Sequence, residues 1–274
     1  MKQKRSQRPA AGKPATPGGL EAVFGVHAVR ALIERGEIPR ELWVQQGGAE
    51  ARLAELVETA RRGGARIQSR PRDELDRLAQ GAAHQGIVAF TTPLAFEAEN
   101  ALWFRLEAWP HATPPLLLVL DGITDVHNFG ACLRSADAAG VHGVIVPKDK
   151  AAPLNATVRK VACGAAESVP VYQVTNLARA LARLKSLGVW VTGTAGEAES
   201  LVFEVDLTGA TALVMGAEGK GMRRLTREAC DQLVKLPMAG TVSSLNVSVA
   251  TGISLFEVVR QRRQASPGAV SLKP

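Results

Sequence analysis

The sequence is poor in cysteine and in aromatic residues, with three cysteines and 4% Phe, Trp and Tyr among 274 residues. Cys132, Cys163 and Cys230 are widely spaced and form no CxxC pair, so neither a disulfide framework nor a zinc site is expected, and the thiols are expected to be buried. No apolar run approaches the ~18 residues of a membrane span. Nothing at the N-terminus resembles an apolar signal segment, so a cytoplasmic protein is expected. The common nucleotide signatures are missing too. In "VMGAEGKGM", Val214 and Gly221 stand where a P-loop needs glycine and Ser/Thr, and Gly219-x-Gly221 is followed by Arg224 where a dinucleotide loop needs glycine. These gaps argue against a P-loop enzyme and a nicotinamide oxidoreductase.

Acid is absent from residues 1–20, which hold Lys2, Lys4, Arg5, Arg8 and Lys13 of a chain whose formal net charge is +7. This Pro/Gly/Ala-rich arm, 1–19, cannot bury a core and is expected to be disordered. It is either a solvated tail or an electrostatic grip on a polyanion. The rest, within an overall 46% hydrophobic and 22% charged composition, reads as globular and is long enough for two domains.

Alternating patterns follow the arm. "EAVFGVHAVRALIERG" reads as a helix ended by Gly36, and "ELWVQQ", "ARIQS" and "HQGIVAFTT" read as strands separated by amphipathic helices. This predicts a small three-layer α/β domain over 20–93. Residues 94–113 end in a proline-bounded stretch and read as a linker. Its Trp103, Phe104 and Trp109 suit packing between domains or stacking on RNA bases. From 114 to 264 continuous apolar strands such as "PLLLVLD", "GVIVP" and "ALVMG" alternate with helices, the pattern of a parallel sheet covered on both faces. A disordered tail is expected over 265–274. Ligands of such sheets sit beyond the carboxyl ends of strands, so the strand-to-helix junctions are where chemistry is sought.

Three junctions stand out. In "DGITDVHNFGACLRSA", Asn128 suits a helix N-cap, Gly130 lets backbone approach a partner, and Arg134 offers a fork of donors to a phosphate. In "VMGAEGKGM", Glu218 sits among glycines with little bulk around it. In "PMAGTVSSLNVSVA", Ser243 or Ser244 suits a helix cap, but capping alone does not call for Asn246 and Ser248 as well.

Taken together, Asn128-x-Gly130-x-x-x-Arg134, Gly216-x-Glu218-x-x-Gly221 and Pro237 followed by Ser244-Leu245-Asn246-x-Ser248-x-Ala250 resemble the three motifs of the SpoU (TrmH) family of S-adenosylmethionine-dependent RNA ribose 2'-O-methyltransferases. Val126 and Phe129 depart from the proline and leucine common in close relatives. The segment with "VFGVHAVRALIERG" and "HQGIVAF" is similar to the substrate-binding domain that precedes the catalytic domain in 23S rRNA (guanosine-2'-O)-methyltransferases. The resemblance implies an α/β catalytic domain tied in a trefoil knot, a SPOUT fold, behind an RNA-binding domain like that of a ribosomal protein. It also implies a homodimer through the C-terminal domain. S-adenosylmethionine would be held by Gly216, Leu236 and Leu245 through backbone and apolar contact, without a metal. Arg134 would hold the phosphate beside the target ribose or contact its 2'-oxygen. Asn128 and Asn246 would orient the ribose and the arginine, Glu218 would fix Arg134 or Asn128, and Ser244 would cap a helix while binding substrate. The implied activity is 2'-O-methylation of a guanosine in 23S ribosomal RNA, with transfer RNA as the other substrate and a catalytically silent RNA-binding protein as the other class.

Overall fold

The computed structural model describes residues 19–265, apart from 35, 48, 80, 82 and 111–112. The expected basic arm and C-terminal tail therefore lie, but for Gly19 and Ala265, outside the described residues. The chain divides into two units, the first ending at Pro93 and the second beginning at Leu94.

The first unit runs β1 (Glu21–Phe24), α1 (Val26–Glu34), β2 (Glu41–Gln45), α2 (Ala49–Arg62), β3 (Arg66–Arg70), α3 (Arg72–Ala79) and β4 (Ile87–Thr91). Its sheet has the order β1-β4-β2-β3, antiparallel except for the β2–β3 pair. One face is covered by Val29, Leu32, Leu53 and Leu56 of α1 and α2, the other by Leu75 and Leu78 of α3, which gives the expected three layers. The stretch "EAVF", expected as the start of a helix, is instead strand β1. Its four residues pair with Val88–Thr91, and the helix begins only after Gly25. Periodicity alone could not separate the two, because Val23 joins the same core as Val29 and Ile33.

The second unit runs β5 (Glu97–Ala98), α4 (Glu99–Glu107), β6 (Leu116–Asp121), α5 (Val126–Ala138), β7 (Gly143–Pro147), α6 (Ala156–Ala162), α7 (Ala165–Ser168), β8 (Val171–Val174), α8 (Leu177–Ser186), β9 (Trp190–Thr194), β10 (Ser200–Leu201), β11 (Thr211–Gly216), α9 (Arg224–Glu228), β12 (Gln232–Lys235) and α10 (Val247–Ala265). Among the described residues its sheet has eight strands in the order β10-β12-β9-β11-β6-β7-β8-β5, every pair parallel. Burying both faces of β6, β7 and β11 turns them into continuous apolar runs.

Residues 94–113, expected as a linker, carry β5 and α4 and belong to this second unit. Leu102, Trp103 and Leu106 of α4 are buried in the core shared with Tyr172, Leu181 and Val191. Trp103 lies under the Arg183 guanidinium at 4.5 Å, Trp109 meets His142 edge-on at 4.6 Å, and Phe104 alone of the three is open, at 78% exposure. The expected buried thiols are found only in part: Cys132 is buried, Cys230 half-buried and Cys163 exposed. Burial pushes the Cys132 thiol up to about 11. No described helix is long and apolar enough to cross a membrane.

Candidate active site

Neighbouring strands β12, β9 and β11 end side by side, and a cavity of about 650 Å³ opens at their carboxyl ends. Its walls come from residues 194–197 after β9, 215–222 around the end of β11, 234–236 at the end of β12 and 243–247 leading into α10. The size lies in the range of small-molecule sites, roughly 300–1,000 Å³. Gly216, Leu236 and Leu245, the three residues expected to hold a donor, all line it.

The residue at 216 has to be glycine. A Cβ there would stand 2.2 Å from the Met222 amide nitrogen and 2.3 Å from the Gly221 carbonyl carbon. That close approach closes a tight hairpin in which Ala217 and Gly221 exchange N–H···O=C bonds of 3.1 and 2.8 Å. Glu218 projects from its tip.

Glu218, Asn128 and Asn246 meet at one point on the cavity rim, although 90 and 28 residues separate Glu218 from its two partners. Glu218 Oε1 accepts from Asn246 Nδ2 at 2.6 Å, Asn128 Nδ2 at 3.2 Å and the Val247 backbone N–H at 3.2 Å. Asn246 Nδ2 also donates to Asn128 Oδ1 at 2.8 Å. Asn246 Oδ1 in turn accepts from Ser248 N at 2.9 Å and Ser248 Oγ at 2.6 Å. With both ends of its amide occupied, Asn246 is fixed in rotamer and in flip.

Several sequence expectations need correcting here. Asn128 is not the N-cap of α5. Asp125 is, its carboxylate accepting the Asn128 N–H at 2.8 Å, which leaves the Asn128 side chain free for Glu218. Neither Ser243 nor Ser244 caps α10; the oxygen that receives a first-turn amide belongs to Asn246, and both serines are exposed residues of the cavity wall. The close partner of Gly130 is α6, since a Cβ would meet Val161 Cβ at 2.8 Å and the Val158 carbonyl at 3.0 Å. Glu218 fixes Asn128 rather than Arg134. Arg134 lies six residues further along α5, about 9 Å down the helix axis, is exposed, and donates from Nη1 to Cys163 Sγ at 3.6 Å.

A parallel α/β unit with a donor-sized cavity at its strand ends, behind a smaller α/β unit, is matched by two family models: RNA 2'-O ribose methyltransferase substrate binding over 22–97 and the SpoU rRNA Methylase family over 115–256. The class is thereby an RNA ribose methylase. The chain belongs to the SpoU rRNA methylase family. It is 58% identical over 243 residues to the 23S rRNA (guanosine-2'-O-)-methyltransferase RlmB of Pseudomonas aeruginosa, covering 88% of this chain and 97% of that one. Identity to the enzyme of the same name from Escherichia coli K12 is 56%, over 88% of this chain and 99% of that one. Among solved structures, the SpoU methyltransferase AviRb from Streptomyces viridochromogenes superposes with a TM-score of 0.72 at 28% identity, covering 90% of this chain and 91% of that one. AviRb in complex with the cofactor AdoMet gives a TM-score of 0.71 at 29% identity, over 89% and 91% of the two chains.

Proposed function

We propose that this protein transfers a methyl group from S-adenosylmethionine to the ribose 2'-hydroxyl of a guanosine in 23S ribosomal RNA. The observation that carries the reading is the convergence of Asn128, Glu218 and Asn246 on the rim of the cavity walled by Gly216, Leu236 and Leu245. The cavity suits the donor: Gly216 lets the hairpin backbone close tightly at its wall, and Met215, Leu236 and Leu245 add apolar surface. When bound, the donor supplies an electrophilic methyl on a sulfonium, so the protein's task is alignment, which is worth roughly 7–11 kcal/mol in well-oriented systems.

This chain's own groups divide that task. Asn246 holds Asn128 and Glu218 at a fixed spacing. Asn128 keeps one amide N–H, and Glu218 its second oxygen, for the hydroxyls of the target ribose. Arg134, set apart from this cluster within one chain, grips the phosphate beside that ribose. A guanidinium is a poor base, so phosphate-assisted loss of the hydroxyl proton is the easier route.

The reading includes a homodimer, the trefoil knot and a cytoplasmic location. Support for the dimer lies on α10, where Val249, Ile253 and Phe256 are 50%, 37% and 49% exposed on one face. α10 packs along α5, with the Thr251 hydroxyl 3.5 Å from Cys132 Sγ and Gly252 facing Ser135 next to Arg134. A second copy seated there brings its Arg134 toward the cluster of the first.

The test is incubation of the purified protein with methyl-labelled S-adenosylmethionine and 23S rRNA, followed by nucleoside mass spectrometry. Label in 2'-O-methylguanosine is expected. Label confined to transfer RNA would move the substrate, and RNA binding without label would make the protein a silent binder.

A further inference from the structure

Asp121 is the last residue of β6 and is 1% exposed. Its carboxylate faces the loop after β11: Oδ2 accepts the Arg223 backbone N–H at 2.8 Å, and Oδ1 accepts Arg223 Nε–H at 2.5 Å. A buried charge persists only where it is paired and hydrogen-bonded. Here both donors belong to one residue, 102 positions away in sequence. Arg223 directly follows Met222, the residue pressed against Gly216 at the base of the hairpin.

The hairpin that presents Glu218 is thus tied to the β6–α5 segment at two levels. At the tip, Asn128 bonds Glu218; at the base, Asp121 bonds Arg223. Only the base contact is sealed from water on the acceptor side, where the Asp121 side chain has no exposure while that of Arg223 keeps 43%. The arginine therefore does not serve chiefly to fill the core. Its guanidinium and amide together clamp the hairpin's exit to the end of a central strand.

We propose that Asp121 is a positioning residue of the methyl-donor site: by clamping Arg223 it sets where the 217–221 hairpin stands, and with it one cavity wall and the Glu218 carboxylate. This rests on the reading of the cavity as the S-adenosylmethionine site. Asp121 is not among the residues that wall the cavity and acts through the loop.

The experiment compares full-length wild type, Asp121→Asn and Arg223→Ala. Four readouts are needed: calorimetric titration with S-adenosylmethionine, thermal melting without it, methyl transfer at saturating donor, and RNA affinity. Asparagine keeps the size and one acceptor of Asp121 but sets an NH2 group against Arg223 Nε–H. Both variants are expected to raise the donor Kd about tenfold or more, the scale of a lost charge-assisted hydrogen bond, and to lower kcat, with RNA affinity unchanged. A drop in melting temperature with donor Kd and kcat at wild-type values would make the contact merely structural and overturn the proposal. If Asp121→Asn does not fold, Arg223→Ala, truncated at a partly exposed side chain, answers the same question. Wild type that binds no donor would overturn the donor assignment and this proposal with it; equal donor binding by all three proteins overturns the proposal alone.

Discussion

Asn246 is the side chain on which the others depend, because it alone bonds both Asn128 and Glu218 while capping its own helix. Replacing it with alanine removes two donors from the rim and leaves the apolar cavity wall in place. Asn246→Ala is expected to lower kcat by about 100-fold, the scale of a lost transition-state hydrogen bond, with donor Kd changed only a few-fold; single-turnover kinetics and calorimetry separate the two. Arg134→Ala is expected to cost a similar ~100-fold or more in turnover while donor binding persists. Unchanged turnover would remove Arg134 from the reaction. At this scale the sequence pointed to residues that the structure brings together and said less about what each one holds. The motif spacing pointed to Asn128, Glu218 and Asn246, yet the helix caps went to Asp125 and Asn246 instead of Asn128 and the serines. Capping propensity does not distinguish between polar residues so near one another in sequence. Asp121 went unnoticed because an acid ending a buried strand carries no sign of its partner a hundred residues away.

At the element scale, the hairpin after β11 and the Trp109–His142 contact at the start of β6 each carry a prediction. Gly216→Ala drives a Cβ into the Met222 backbone at 2.2 Å, and backbone cannot yield as a side chain tip can. Loss of measurable donor binding by calorimetry is expected from this substitution, with a lower melting temperature. His142 sits under Trp109, and its Nδ1 accepts the Leu116 N–H at 3.0 Å at the start of β6. Burial, then the nearby Arg262 and Arg105 charges, hold its pKa below the usual 6.5. A depressed value means the neutral ring is favoured in the folded state. Its contribution is full above pH ~6.5 and is lost as pH falls through the folded value. The melting temperature of wild type should therefore fall more between pH 7.5 and 5.5 than that of His142→Gln, which keeps an acceptor and cannot titrate. An equal fall in both would show that His142 is not the sensor. Long buried strands and amphipathic helices were legible from their periods. Short β5 and β10 and the four-residue α7 were not, since two to four residues carry no period. α4 was obscured by the prolines that follow it.

Across the whole molecule, the catalytic unit presents a rim cluster complete but for Arg134, and an α10 face with three exposed apolar side chains. The proposed pairing of two copies would account for both features. Phe256→Asp is expected to shift the protein toward monomer in sedimentation and to lower methyl transfer with it. Mixing the two impaired variants, Arg134→Ala and Asn246→Ala, should restore part of the activity, because a mixed dimer would hold one intact composite site. No recovery, with subunit exchange verified, would place all four residues of the site in a single chain. Periodicity and composition do not bear on whether the proposed site is shared, since its residues follow their own chain's local rules equally well in either arrangement.

The most direct measurement is a map of ribose methylation in 23S ribosomal RNA by mass spectrometry, made in cells with the gene, without it, and with the gene restored as wild type or as Arg134→Ala. One 2'-O-methylguanosine is expected to vanish on deletion and to return with wild type but not with Arg134→Ala. A 23S methylation pattern identical in all four strains would contradict the assignment.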